Sequence, residues 1–287
     1  MALFTNSATL SYLGRVASSN TVTGEIMETL SVAKTAAGES YSPGGDVSYA
    51  VSLVNSGTEA LTGLTLSDDL GAYQYQGETV TPLAYKPGSL RFFLNGVLQP
   101  TPTVNAGPPL TVTGLSVPAG GNAVLVYETS VTAFASPAAG GSIVNTVTVT
   151  GSGLAAPLTD TAALPAAEAA ELAVNKTLSP LAVAPNGTVT YTFTLENSGN
   201  SPVEAADGAI LSDTFDPLLT GLTVAFNGAA WTQGVNYSYD PATGAFATLT
   251  GQLPVPAATF TQNADGSWTT TPGTAVLTVS GKLSAGT

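Results

Sequence analysis

The chain contains no cysteine and no histidine. Without cysteine it can form neither disulfides nor thiolate metal sites. Without histidine it lacks the commonest general base and the commonest metal ligand. Charge is also scarce: 9% of residues are charged, with 6 Lys and Arg against 19 Asp and Glu, giving a net charge of −13. A thin acidic surface repels nucleic acid and anionic membrane, so neither is an expected partner. The same charge serves solubility. No apolar run approaches the roughly 20 residues of a membrane helix, so no membrane insertion is expected. Residues 1–10 lack the basic start and apolar stretch of a signal peptide, so a secreted form would need earlier processing or another export route. There is no Gly-x-Ser-x-Gly elbow and no nucleotide loop. No carboxylate pair stands out for glycoside hydrolysis. Asp68, Asp69 and Asp240 are oxygen donors, but their spacing matches no calcium loop. The expectation is a protein that is not an enzyme and needs no cofactor or metal.

What the chain does have is apolar content, 44% over 287 residues. A disordered chain has the reverse balance, and this length suits two domains with cores of their own. Thr, Val, Gly, Pro and Ala dominate, and no long helical pattern occurs. The predicted class is therefore all-β. Tyr49, Val51 and Leu53 alternate with Ser and Ala, the pattern of a half-buried strand in a two-sheet sandwich.

The sequence repeats internally. Tyr49, Leu53, Asn55, Ser56 and Gly57 recur 142 residues on as Tyr191, Leu195, Asn197, Ser198 and Gly199. Val32, Lys34 and Thr35 recur at the same spacing as Val174, Lys176 and Thr177. Leu66-Ser67-Asp68 matches Leu211-Ser212-Asp213, and the Asn95-Gly96 turn matches Asn227-Gly228. Markers in one order at nearly one spacing define a strong repeat. Two tandem Ig-like β-sandwiches are predicted, over residues 25–164 and 165–287, preceded by a donor strand or hairpin over residues 1–24. The Ala- and Pro-rich stretch 154–171 is expected to join the copies. Extra hairpins are expected at residues 239–244 and 263–266.

The copies are out of frame. Residues 5–11 resemble residues 144–150, which close repeat 1; residues 275–281 match residues 123–129, after which no closing strand follows. The second sandwich is thus expected to be incomplete, and the head to carry the strand it lacks. Placing residues 284–287 of one molecule before residues 1–6 of another restores the connection seen at residues 139–145. An unfilled slot exposes apolar core and unpaired backbone, and attracts a strand. Head-to-tail strand addition that does not close into a ring makes a filament. The donor residues are Phe4, Asn6, Ala8 and Leu10, with residues 20–26 pairing beside them as residues 158–164 do in repeat 1.

Strand phase puts polar side chains on apolar faces. Leu30, Val32 and Lys34 are in phase, as are Leu172, Val174 and Lys176. Leu64, Leu66 and Asp68 share a face, as do Ala209, Leu211 and Asp213; Ile143, Asn145, Val147 and Val149 share another. Asp69 is a rival acid whose phase faces outward. Lysine is almost never buried without a partner. The motifs Val-x-Lys-Thr, Tyr-x-x-x-Leu-x-Asn-Ser-Gly, Leu-Ser-Asp and Asn-Thr-Val-Thr-Val together resemble the tandem bacterial surface repeat called domain of unknown function eleven, over nearly all of both copies. The resemblance implies an Ig-like fold, a cell-surface setting and a stalk or fibre role. Related sandwiches form a spontaneous Lys–Asn isopeptide bond assisted by an acid. By motif match Lys34, Asn145 and Asp68 are that trio in repeat 1. Lys176 and Asp213 are two of the trio in repeat 2, where Asn6 of a neighbouring molecule supplies the third. Burial favours the neutral amine and the protonated acid, which can attack and polarise the Asn amide. Two other readings fit the same residues: a buried Lys–Asp ion pair with Asn as its hydrogen-bond partner, and a Lys at a strand end with its head in water.

The function expected is a structural subunit of an extracellular bacterial filament or surface fibre, on a cell or spore, whose partner is another copy of itself. The alternative is a glycan- or host-binding adhesin, or a stalk module of a longer surface protein, in which Trp231, Tyr237, Tyr239 and Trp268 would form a stacking platform for surface glycans. The competing expectation for those rings is packing in the core.

Overall fold

The computed structural model describes residues 2–26 and 28–284. They form an all-β chain of two β-sandwich units, one built mainly from residues up to Ala166 and the other mainly from Ala167 on. The only helical element among them is a 3-10 turn at Ala205–Asp207. The expected junction of residues 284–287 with residues 1–6 involves Met1, Ala285, Gly286 and Thr287, which lie outside the described residues.

The head is a two-stranded ribbon. β1 (Ala2–Asn6) pairs with β4 (Val22–Ile26), and β2 (Thr9–Tyr12) pairs with β3 (Arg15–Ser18). Its tip is Leu13-Gly14, both with positive φ (47° and 73°), the geometry of a tight hairpin turn. Between the two paired stretches, Ala8 N–H donates to Ser19 Oγ and Ser19 N–H donates to Ala8 O, both at 2.8 Å. Nearly every described side chain of the ribbon is exposed.

Unit 1 contains β5 (Leu30–Ala37), β6 (Asp46–Asn55), β7 (Leu61–Asp68), β8 (Tyr73–Tyr75), β9 (Glu78–Val80), β10 (Leu83–Tyr85), β11 (Arg91–Leu94), β12 (Val97–Gln99), β13 (Thr103–Asn105), β14 (Leu110–Val117), β15 (Asn122–Val131), β16 (Ser142–Thr150) and β17 (Leu158–Pro165). One sheet runs β12-β11-β15-β6-β5, with β10 also on β15; the other runs β13-β14-β7-β16-β17. Val51 and Leu53 from the first sheet and Leu64, Leu66, Val112, Val147 and Val149 from the second are wholly buried between them. The stretch 154–171 is not simply a linker. β17 lies inside it as the edge strand of unit 1, paired with β16 along its length. Its small inward residue Ala162, with Leu164, is buried, and this alternation is masked by the surrounding Ala and Pro.

Unit 2 contains β18 (Leu172–Ser179), β19 (Thr188–Asn197), β20 (Ser212–Thr214), β21 (Leu219–Phe226), β22 (Ala229–Trp231), β23 (Tyr237–Tyr239), β24 (Ala245–Thr248), β25 (Thr259–Gln262), β26 (Trp268–Thr271) and β27 (Gly273–Leu283). Its first sheet, β18-β19-β27-β21-β22, repeats β5-β6-β15-β11-β12 of unit 1. Its second, β20-β24-β23, repeats β7-β14-β13 and stops there among the described residues. Nothing described stands where β16 and β17 stand in unit 1. β20 is correspondingly short: Ala209 and Leu211, expected in a strand with Asp213, fall outside it. The hairpin turns expected near residues 239–244 and 263–266 join β23 to β24 and β25 to β26.

A repeated asparagine pins each unit. Asn55 Nδ2 donates to Glu59 O (2.8 Å) and Pro118 O (3.1 Å), and its Oδ1 accepts Gly57 N–H (2.9 Å). Asn197 does the same with Ser201 O (2.8 Å), Pro256 O (3.1 Å) and Gly199 N–H (3.0 Å). Both are buried. Asn55→Ala and Asn197→Ala strand these backbone groups and are each expected to cost about 2–3 kcal/mol. Urea denaturation followed by near-UV circular dichroism checks this; losses no larger than those of surface substitutions contradict it.

Candidate functional site

β5 and β7 face each other across the core of unit 1, and each carries one charged residue into it. Lys34 Nζ lies 2.5 Å from Asp68 Oδ2, and both side chains are 0% exposed. The Tyr127 hydroxyl donates a short hydrogen bond to the same Oδ2, and Leu70 N–H donates to Oδ1 at 2.8 Å. Lys34 Nζ also sits 4.8 Å from the centre of the Tyr49 ring. Asn145, on β16, is wholly buried, and neither its Oδ1 nor its Nδ2 has a hydrogen-bond partner. The Tyr49 hydroxyl lies near the Asn145 amide but outside hydrogen-bond geometry with it, and has no other partner. Buried amides are normally satisfied, so an unpaired carboxamide in a core that also holds an amine and an acid calls for a chemical explanation. Asp69 is the outer acid of the two: its Oδ1 accepts the N–H groups of Gly71 and Thr146 at 2.8 and 2.9 Å.

Burial acts on three of the groups, Lys34, Tyr49 and Tyr127. It lowers the Lys34 pKa, against the pull of Asp68. It raises Tyr49 to about 12, with the nearby Asn145 amide pulling the other way, and raises Tyr127 well above its ordinary 10.0. Tyr127 had no part in the sequence reading. Its signal was available: it is in phase with Ala123 and Leu125 on β15 and so brings a hydroxyl inward. Asp160 was also unforeseen. From β17 its Oδ2 accepts the Lys34 backbone N–H at 2.6 Å, tying the edge strand over the lysine.

Unit 2 repeats the pair without its cover. Lys176 Nζ and Asp213 Oδ2 are in direct contact, but their side chains are 41% and 17% exposed. The amine lies over Tyr191, Phe193 and Phe215, at 4.7, 5.4 and 5.5 Å from the ring centres. Beside it, a cavity of about 290 Å³ opens among Leu172, Val174, Leu195, Ala209, Leu211 and Leu253. Leu172 is 47% exposed, whereas its counterpart Leu30 is 3% exposed. No described asparagine side chain of unit 2 stands where Asn145 does in unit 1. Phe4, Asn6, Ala8 and Leu10 are all exposed on the ribbon.

Of the four rings expected to form a platform, two lie in the core and two, Trp231 and Trp268, are partly exposed. Tyr237 and Tyr239 are buried, and the Tyr239 hydroxyl bonds both the N–H and the carbonyl of Leu219 at 2.9 Å. Trp231 stacks on Phe226 at 5.1 Å. Asp240 is engaged by its own turn, accepting from Ala242 N–H and Thr243 Oγ1. Among the described residues no group of three potential metal ligands occurs. No helix there is long and apolar enough to cross a membrane.

No protein-family model matches the chain, and no curated protein does. Among solved structures it is similar to the pilus backbone RrgB of Streptococcus pneumoniae, at 10% identity and a TM-score of 0.33, over 82% of this chain and 52% of that one. It is similar to the full-length major pilin SpaD of Corynebacterium diphtheriae, at 12% identity and 0.36, over 84% and 58%. The major pilin subunit BcpA of Bacillus cereus matches at 13% identity and 0.36, over 94% and 73%. The chain thus spans only about half the length of the first of these. Likenesses this faint carry no functional weight; the fold stands on the strand pairings themselves.

Two outcomes follow from the geometry. Asp68→Ala leaves an unpaired buried charge and is expected to cost about 3–5 kcal/mol; Asp213→Ala, at a solvated pair, is expected to cost at most about 1 kcal/mol. Equal losses in urea denaturation contradict the difference in burial. Second, Tyr41 and Tyr49 are raised by burial to about 12 from 10.0, and Tyr127 is raised well above 10.0. A group whose pKa is higher in the folded state contributes stability that is complete below its unfolded value and fades above it. The tyrosine contribution is therefore present up to pH 10 and lost as pH rises towards 12. Urea midpoints compared at pH 9 and pH 11 test this; an unchanged or higher midpoint at pH 11 contradicts it.

Proposed function

We propose that the chain is a structural subunit of an extracellular bacterial filament or surface fibre, of the surface-repeat class it resembles. In this reading copies join head to tail by donating the ribbon of one into unit 2 of the next. One observation carries it. Unit 2 has counterparts for the second sheet of unit 1 except β16 and β17, and the ribbon repeats the pairing of those two strands. Asn145 lies opposite Ala162, with Ile143 opposite Leu164 two residues before it. Asn6 lies opposite Val22, with Phe4 opposite Gly24 two residues before it. Docked in the same register, β1 and β2 extend the sheet beside β20, and β4 covers β18 as β17 covers β5.

Docking in this way brings Asn6 to Lys176 and Asp213. It buries the amine, the acid and the amide together, as Lys34, Asp68 and Asn145 are buried in unit 1. The chemistry this arrangement supports is a single self-processing step. The lysine ammonium gives a proton to the aspartate. The neutral amine nitrogen then adds to Cγ of the asparagine, while the protonated acid hydrogen-bonds the carbonyl oxygen where negative charge develops. The added nitrogen gives up a proton, the acid relays one to the departing amide nitrogen, the bond from Cγ to that nitrogen breaks and ammonia leaves, with the acid still holding the proton it took from the lysine ammonium. An isopeptide bond remains, within unit 1 and between subunits at unit 2.

Electron microscopy and denaturing electrophoresis of the purified chain test the reading. The intact chain is expected to form filaments that resist boiling detergent, and Lys176→Met to form filaments that dissociate into monomers. Filaments made by a chain lacking residues 1–12 would overturn strand donation. Within unit 1, intact mass is expected to be lower by one ammonia, and Lys34→Met to restore it.

A further inference from the structure

The two slots differ in size at one point, and the difference is matched on the strands that fill them. In unit 1, β16 runs beside β7 with Thr150 opposite Thr65, which brings Gly151 to Leu64. The contact leaves no room: a Cβ at Gly151 would lie 2.7 Å from Leu64 Cδ2 and 3.1 Å from Leu64 Cα. Leu64 is wholly buried. A large residue on the acceptor strand therefore demands the smallest one on its partner.

Unit 2 reverses this. Gly63 and Gly208 both have left-handed backbones (φ 65° and 68°), which fixes the alignment of the strands that follow. Leu66 and Asp68 then correspond to Leu211 and Asp213, and Leu64 corresponds to Ala209. Ala209, the small residue at the position of Leu64, lines the 290 Å³ apolar cavity of unit 2. On the ribbon, Asn6 corresponds to Asn145, Leu10 to Val149, and Tyr12 to Gly151. Tyr12 is half-exposed and paired only with Arg15 across the ribbon.

We propose that Tyr12 is the specificity anchor of assembly: it seats over Ala209 in the apolar cavity of unit 2 of a second copy, and the Leu64–Gly151 pair bars the same ribbon from unit 1. This rests on the strand-donation reading above and adds a determinant to it. The occupant is a ribbon of the same chain, because it combines the correct pairing register with a large side chain at the position where the slot is enlarged. Within unit 1 the large–small pair is Leu64 with Gly151; between subunits it is Tyr12 with Ala209. A ribbon carrying Tyr at this position cannot displace β16 without overlapping Leu64, so exchange into the finished sandwich is suppressed by a clash.

Polymerisation rates of full-length variants, followed by light scattering, test the pairing. Tyr12→Gly and Ala209→Leu are each expected to slow assembly about tenfold or more, one by emptying the cavity and the other by overfilling it. Combining them recreates the Leu–Gly pair of unit 1 and is expected to recover the rate to within about threefold of the parent, the non-additivity of a direct contact. Tyr12→Phe keeps the ring and is expected to assemble like the parent. Circular dichroism of each monomer separates slow assembly from misfolding, and Tyr12→Gly, on the exposed ribbon, leaves the core of both units unaltered. Single variants that assemble at the parent rate, or a double variant no faster than the slower single, overturn the proposal. If deletion of residues 1–12 abolishes assembly while the single variants do not slow it, the anchor fails and strand donation stands. Assembly without residues 1–12 removes both.

Discussion

A sandwich hides its core only where each of its sheets is wide enough to cover the other. Unit 1 meets this condition with five strands stacked on a sheet of similar width. Among its described residues, unit 2 sets five strands against three. The other differences between the repeats descend from that mismatch. β18 has the apolar alternation of β5 but lies in the open, the Lys176–Asp213 pair is solvated where Lys34–Asp68 is dry, and β20 shrinks to a few residues for want of a partner on its outer side. The sequences of the two repeats are similar enough that their different exposures cannot be assigned to composition. They come from neighbours present in one case and absent in the other.

The internal repeat made much of this legible from the residues alone. Matched markers fixed which strands correspond, and strand phase put Lys34, Asp68 and Asn145 on inward faces, where all three are buried and Lys34 meets Asp68. Less visible were the features that depend on contact across the core. β17 was hidden because Ala162 and the prolines around it look like linker. The role of Tyr127 was hidden because a tyrosine in a strand ordinarily signals packing; only its hydroxyl's meeting with Asp68 gives it a role. Asn55 and Asn197 were seen as repeat markers, but nothing in the motif says that their amides hold the turn to a distant segment, at Pro118 and at Pro256. The relation of Leu64 to Gly151 lies further out of reach, since it joins residues nearly ninety positions apart through the absence of a side chain.

The ribbon bears on how such a slot can be filled. Its strands are already paired and its turn already made, so a partner docking on it would meet a formed edge instead of a coil, and less ordering entropy would oppose association. Phe4 lies across Gly24, where any Cβ would overlap its ring. The glycine thus leaves room for the aromatic ring on the ribbon itself, where Phe4 remains 53% exposed.

The three-stranded sheet also has a meaning for mass action. Unit 1 contains everything its fold requires, so its stability is a property of one molecule. The stability of unit 2, when its missing strands come from another copy, becomes a function of how many other copies are present. Dilution would then loosen one half of the chain and leave the other untouched. The last subunit in any fibre would carry its weak half at the surface, and the two ends of the fibre would differ in kind, one offering a ribbon and the other an open slot.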